Sequence, residues 1–243
     1  MNLSQRYDRS VEHLIAQTAE RTVAAILHAW SEQRDAHIVV TGGRNGSAIS
    51  KALDFELFRG TAEFRTAKNA KTPRPLHIWF SDERYVEFDN LERTDSTLIE
   101  NFKLTRNLIT FHRVSPPSRE SLTAAAESYS KQLKDNLGEQ RFEIVILSLG
   151  EDGHVASCFP SIPDSLESES PAIAIWDSPK PPSERVSLTL GQIAQANQIY
   201  VMAFGEGKRE AMNRSMAEGS TYPVGLLRRS SPHGNIFVLT DLN

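Results

Sequence analysis

The sequence predicts an α/β protein: a Rossmann-like, largely parallel sheet with helices on both faces, formed as one domain over residues 1–243. Three observations carry this expectation. Short β-branched apolar runs alternate with segments of helical periodicity, the pattern of a parallel sheet joined by crossover helices. Several runs end in glycine or charge, at Thr41–Asn45, Ser81–Arg84 and Gly150–His154. Open sheets of this kind bind ligands beyond the carboxyl ends of their strands. Finally, there is no internal repeat, and the polar loops Ser161–Pro171 and Asp177–Glu184 are too short to divide the chain.

The elements follow in order. "SVEHLIAQTAERTVAAILHAW" spaces Val11, Leu14, Ile15, Val23, Ile26, Leu27 and Trp30 as a helix does, with Ser10 as its N-cap. "AHIVVTGG" is a β-branched run closed by two glycines, and "SAISKALDFELF" returns to helical spacing at Ile49, Leu53 and Leu57. "PLHIWFSDER" is a second strand ending in charge, and "NLERTDSTLIENFK" reads as loop then helix. "ITFHRV" is a short strand stopped by Pro116 and Pro117. "SLTAAAESYSKQLKDNLG" is a helix with Gly138 at its C-terminal end. "FEIVILSLG" is the most apolar strand. "AIAIW", "RVSLTL", "QIYVMAFG" and "NIFVLTDL" complete the strands, with the helix "GKREAMNRSMAEG" between the last two.

Bulk composition narrows the class. Apolar residues make up 39% and charged residues 24%, an ordinary soluble balance. The net charge of −4 offers no broad basic surface for nucleic acid or membrane, so neither is expected as a partner. One cysteine, Cys158, excludes an intrachain disulfide and fits a reducing compartment. "MNLSQRYDRSVEHLI" lacks the apolar core of a signal peptide, and no run has the ~18 apolar residues of a membrane span. A cytoplasmic protein is expected.

Five segments carry chemistry. "TGGRNGS" (Thr41–Ser47) turns from strand to helix on glycines, which lets backbone N–H groups and the helix dipole meet an anion. It is neither a Walker A loop nor GxGxxG, and a plain tight turn would also use small residues. "SDER" (Ser81–Arg84) is either a solvated ion-pair turn or a phosphate site with Arg84 held by Asp82 or Glu83. In "GEDGH", His154 follows Asp152 by two residues at a strand exit. A carboxylate beside an imidazole fixes its tautomer, the arrangement of a general base, although a lone histidine is more often structural. Arg185 before a strand and Lys208 at a helix start are each a surface charge or an anion ligand.

Cys158 lies four residues after His154, but between Ser157 and Phe159 it reads as a small core residue rather than a nucleophile. A metal site from Asp152, His154 and Cys158 lacks a second histidine at ligand spacing and any CxxC, so no metal is expected. His13, His28, His37, His77, His112 and His233 look scattered and receive no role.

Taken in order, "TGGRN", "WFSDERYV", "SLGEDGHVASCFP", "SPKPPSERVSLTL", "GEGKREAM" and "YPVGLL" resemble the 6-phosphogluconolactonase family, which is related in fold to glucosamine-6-phosphate isomerase/deaminase. The Asp-Gly-His-x-Ala-Ser-x-Phe-Pro ending favours the lactonase branch, since the deaminases carry Asn-Glu-Pro there. The resemblance implies hydrolysis of 6-phosphoglucono-δ-lactone to 6-phosphogluconate in the pentose phosphate pathway, without a cofactor. It implies His154 as the base activating water and Asp152 as its orienting partner. It also implies that the phosphate lies against Gly42, Gly43, Arg44, Asn45, Arg84 and Lys208, with Arg185 facing the lactone or the phosphate.

The chain departs from the family at several positions. Arg44 and Asn45 replace the usual Ser-Thr pair, Ser148 replaces a glycine, Thr94 stands for an asparagine and Cys158 for a leucine. The alternatives are a deaminase/isomerase on amino-sugar phosphates and a non-catalytic sugar-phosphate sensor, which the altered first loop would suit. A monomer or weak homodimer is expected.

Overall fold

The computed structural model describes residues 10–67, 71–162, 164–168, 170–232 and 235–242. His233 and the polar N-terminal stretch up to residue 9 lie outside the described residues. Helix α1 (Val11–Ser31) begins where Ser10 Oγ accepts the His13 N–H. Next come β1 (Ala36–Val40), α2 (Gly43–Thr66), β2 (Leu76–Phe80), β3 (Asp82–Arg84), α3 (Thr94–Asn101) and β4 (Ile109–His112). Helix α4 (Leu122–Leu137) is capped by Ser121 and ends at Gly138, whose positive φ of 57° suits a glycine. Then follow β5 (Ile144–Ser148), the single turn α5 (Asp164–Glu167), β6 (Ala172–Ile175), β7 (Arg185–Leu188) and α6 (Leu190–Ala194). The chain closes with β8 (Gln198–Ala203), α7 (Arg209–Met216), α8 (Pro223–Ser230) and β9 (Ile236–Thr240). Pro223 opens α8, where its missing N–H costs nothing.

Six strands form one parallel sheet in the order β4-β2-β1-β5-β8-β9. Its central strands β1, β5 and β8 are buried on both faces and alternate between two cores. Ile38 and Val40 of β1, Ile144 and Ile146 of β5, and Tyr200 and Met202 of β8 face α1, α2 and α3. Val39, Val145, Leu147 and Val201 face α4, α6, α7 and α8. This is why the runs read as continuously apolar rather than alternating.

Three runs leave that sheet. β3, β7 and β6 form a separate antiparallel sheet, which the alternating sequence pattern did not distinguish. The connection from β6 to β7 is too short for the crossover a parallel pair requires, so the two strands pair as a hairpin. Ala172, Val186 and Leu188 of this small sheet join the α4-side core, so both sheets share one apolar interior.

Three of the histidines without an assigned role are neighbours. Parallel pairing sets His37 beside His77 and Trp79 beside His112. The His37 and His77 rings stack with centroids 4.4 Å apart, and His112 lies on Trp79 at 3.6 Å. His77 Nδ1 is 2.8 Å from His112 Nε2, and Trp79 Nε1 donates to His37 Nδ1 at 3.3 Å. Asp35 stands 3.7 Å from His77. Burial first, then the neighbouring rings, lowers His37 to about 3 and His112 to about 4.

Both rings therefore stay neutral in the folded protein while the unfolded chain takes up protons below the ordinary value of 6.5. The stability present above that value drains away as pH falls towards the folded-state values, by about 1.4 kcal/mol per pH unit for each ring. The urea midpoint should thus drop steadily from near pH 6.5 towards pH 4. His112→Phe, which keeps the stack on Trp79, should flatten the slope, and an unchanged slope would place the acid sensitivity elsewhere.

Candidate active site

β1 and β5 lie side by side, yet the chain leaves β1 towards β2 and β5 towards β8. That reversal opens a crevice beyond their carboxyl ends, the usual ligand position in such sheets. The β1 exit supplies Thr41–Gly43 and the start of α2, whose first turn has no side-chain cap. Its N–H groups and dipole make this wall favourable to anions.

The β5 exit folds back on itself. Gly150 N–H donates to His154 O at 2.8 Å and Gly153 N–H to Gly150 O at 3.0 Å. The turn leaves no room for a side chain at Gly150, where a Cβ would collide with His154 Nδ1 and Asp152 Oδ1. Gly153 has φ of 87°, and a Cβ there would enter the Tyr222 ring. His154 lands on the Phe159 ring at 4.5 Å, and its Nδ1 makes a hydrogen bond with Asp152 Oδ1. Partial burial alone would raise the Asp152 carboxyl. The hydrogen bond and charge of His154, helped by Lys180, outweigh it and hold the carboxyl well below the usual range. An ionised carboxylate only accepts, so Nδ1 carries the proton and Nε2 of the neutral ring keeps its lone pair.

The next residues tie this turn to the small sheet. Ser157 Oγ donates to Asp82 Oδ2 at 2.7 Å, and Ser157 N–H donates to Ser187 Oγ at 3.0 Å. Cys158 is fully buried, with Sγ 3.5 Å from Leu188 O, and burial pushes its thiol up to about 12. A thiol so placed is no nucleophile at neutral pH. Among the described residues no His, Cys, Asp and Glu cluster could hold a metal ion.

Strand β3 splits its charges between two faces. Asp82 and Arg84 line the crevice, while Glu83, between them, points into the interior as strand alternation requires. Arg84 is therefore not paired with the Glu83 carboxylate. Glu83 accepts the backbone N–H groups of Arg84 at 2.8 Å, Thr94 at 2.8 Å and Asp95 at 2.7 Å. Burial, then the nearby Asp95, raises its pKa. The Arg84 guanidinium donates instead to Glu92 O at 2.7 Å.

Gly42, Gly43, Arg84, His154, Arg185 and Lys208 all line one crevice. Asp152 stands behind His154 rather than on the wall, and Asn45 lies off the wall too, with Nδ2 3.5 Å from Ser148 Oγ. Arg44 is exposed and does not line it. Lys180, Thr94 and Ser148 do line it and were not nominated as site residues. Lys180 was legible only as one more charge in a proline-rich loop. Lys208 is partly buried, and desolvation lowers its pKa against the pull of Glu151. This 180 Å³ crevice is smaller than a 540 Å³ hollow at the opposite strand ends, but the latter gathers no comparable group of cations around a histidine.

Residues 9–237 match the model of the family described as glucosamine-6-phosphate isomerases/6-phosphogluconolactonase. The chain belongs to that family. A 6-phosphogluconolactonase of Streptomyces coelicolor is 30% identical over 86% of this chain and 81% of its own length. The human 6-phosphogluconolactonase is 36% identical over 75% of this chain and 70% of its own. The solved structure of 6-phosphogluconolactonase from Trypanosoma cruzi superposes with a TM-score of 0.77 at 24% identity, covering 99% of this chain and 96% of that one, which supports the fold. Family membership places the His154 turn and the cation-lined wall on a scaffold shared with sugar-phosphate enzymes.

The absent side chain at Gly150 makes a direct test of the dyad. An imidazole N–H bonded to a carboxylate gives a far-downfield proton signal, and Gly150→Ala should abolish it while the protein stays folded. Persistence of that signal would show that the turn can shift aside.

Proposed function

We propose that the chain hydrolyses 6-phosphoglucono-δ-lactone to 6-phosphogluconate, a step of the pentose phosphate pathway, with His154 as the general base. The supporting observation is the Asp152–His154 pair at the edge of a crevice that also presents Arg84, Lys180, Lys208 and the open N-terminus of α2. The relatives reported above carry the same activity in their names. No cofactor enters the mechanism. The catalytic machinery sits in a single domain whose two sheets share a core. We place the enzyme in the cytoplasm, and no helix among the described residues is long and apolar enough to cross a membrane.

His154 Nε2 takes a proton from water as the water oxygen attacks the lactone carbonyl. The tetrahedral oxyanion needs donors. Gly150 and Gly153 have already donated their N–H groups within their own turn, so the uncapped first turn of α2 is the better placed wall. The imidazolium then returns its proton to the ring oxygen as the C–O bond breaks and the ring opens. Asp152 stabilises the imidazolium between these two transfers. Arg84 and Lys208 meet the phosphate, which carries about −1.5 to −2 charges at neutral pH.

Removing the base should cost ~10²–10⁴-fold in kcat. Hydrolysis of freshly generated lactone, corrected for spontaneous opening, compares wild type with His154→Ala. Near-wild-type turnover in the variant would take His154 out of the mechanism.

The phosphate cations are tested separately. Each charge-assisted hydrogen bond contributes ~1.5–3 kcal/mol, so Arg84→Ala or Lys208→Ala should raise KM ~10–100-fold for the phosphorylated lactone. Unphosphorylated gluconolactone should respond much less, and equal losses on both substrates would make these residues structural.

A further inference from the structure

The connection between β6 and β7 brings Lys180 to the crevice, and one buried side chain holds its backbone. Arg185, at the start of β7, is 4% exposed. Its Nε donates to Pro182 O at 3.1 Å, and its Nη2 donates to Lys180 O at 3.0 Å and Pro181 O at 3.3 Å. Asp82 Oδ2 lies 3.7 Å from Nη1 and faces the rest of the guanidinium. Ser178 tightens the same loop, accepting the Lys180 N–H at 3.2 Å and donating to Lys180 O at 2.9 Å. From this backbone the Lys180 Nζ reaches 3.4 Å from Asp152 Oδ1, the oxygen that also bonds His154.

Three consecutive carbonyls converging on one guanidinium is a use of the arginine fork that lysine cannot copy. Loops carrying functional groups are otherwise mobile, and a lysine on a free loop would keep its full rotamer entropy. Arg185 thus has most of its donors turned to the chain rather than to the crevice. We propose that Arg185 is a positioning residue that acts on the reaction through the Lys180–Pro182 backbone, holding the Lys180 ammonium against the Asp152–His154 pair. The proposal rests on the lactonase reading with His154 as base.

The consequence is electrostatic. Asp152 favours the protonated imidazole, and the Lys180 ammonium beside it tempers that pull, so the proton is released readily to the ring oxygen. The other charges facing the pair are Lys208 before α7, Arg84 and Asp82 on β3, Arg185 on β7 and Glu151 in the same turn. Removing Lys180, or releasing it by changing Arg185, leaves Asp152 less opposed. Protonation of the base then sets in at higher pH, and the acid limb of kcat/KM moves up.

The experiment compares pH profiles of kcat and kcat/KM for wild type, Lys180→Met, Arg185→Met, Arg185→Lys and the double variant Arg185→Met/Lys180→Met. Each single change should lower kcat/KM ~2–5-fold, the value of a half-exposed ion pair, and shift the acid limb upward by ~0.5 pH unit. The double variant should lose no more than the worse single and shift no further. Arg185→Lys keeps a cation beside Asp82 without the fork, so it should behave as Arg185→Met, and it carries the test if Arg185→Met folds poorly. Multiplicative losses in the double variant, a raised KM with an unmoved acid limb, or wild-type behaviour of Arg185→Lys would each overturn the proposal. His154→Ala, assayed alongside, separates the two readings: full turnover there removes the base, whereas the Arg185–Lys180 coupling stands or falls on its own non-additivity.

Discussion

The reversal of direction between β1 and β5 is the constraint on which the site depends. Two adjacent parallel strands send the chain to opposite sides, so no connection crosses the gap between their ends. The crevice is therefore built into the topology before any side chain is placed. Its two walls follow from how each strand exits. β1 runs straight into the uncapped start of α2, and β5 runs into a glycine turn tight enough to bring His154 back over the gap.

The small antiparallel sheet completes what the parallel sheet leaves open. Three consecutive residues of β3 do three different jobs because a strand alternates its faces. Asp82 holds Ser157 and faces Arg185, Glu83 turns inward to accept the first N–H groups of α3, and Arg84 meets the crevice. Glu83 thereby fixes the approach of α3, so that Thr94 sits against Gly42, where even a Cβ on the glycine would clash. The His154 turn, the Arg84 side of the crevice and the lysine-bearing loop are all fastened to this sheet.

The cost of such a site is electrostatic. Arg84, Lys180 and Lys208 share one crevice, and Lys208 already titrates low because desolvation, and in part Lys180, disfavours its charge. Under the proposed function, a phosphate bound there would relieve that repulsion. At the other end of the sheet the stacked histidines are a different liability, neutral rings packed for shape at the expense of acid tolerance.

Local order was legible in the sequence. Apolar spacing marked the helices and strands, the glycine exits marked the crevice, and "GEDGH" marked His154 and the carboxylate beside it, because period and turn chemistry act over a few residues. The side chains that depend on distant partners were not legible. Nothing local says that "AIAIW" and "RVSLTL" pair with "SDER" instead of joining the parallel sheet, that Glu83 faces away from Arg84, or that Arg44 points outward. Nor does spacing reveal that His37, His77 and His112 meet, since register between strands sets that contact. Lys180 was hidden for the same reason. Its place is set by Arg185 from the next strand and by Asp152 from a loop 28 positions earlier, and only the folded chain brings the three together.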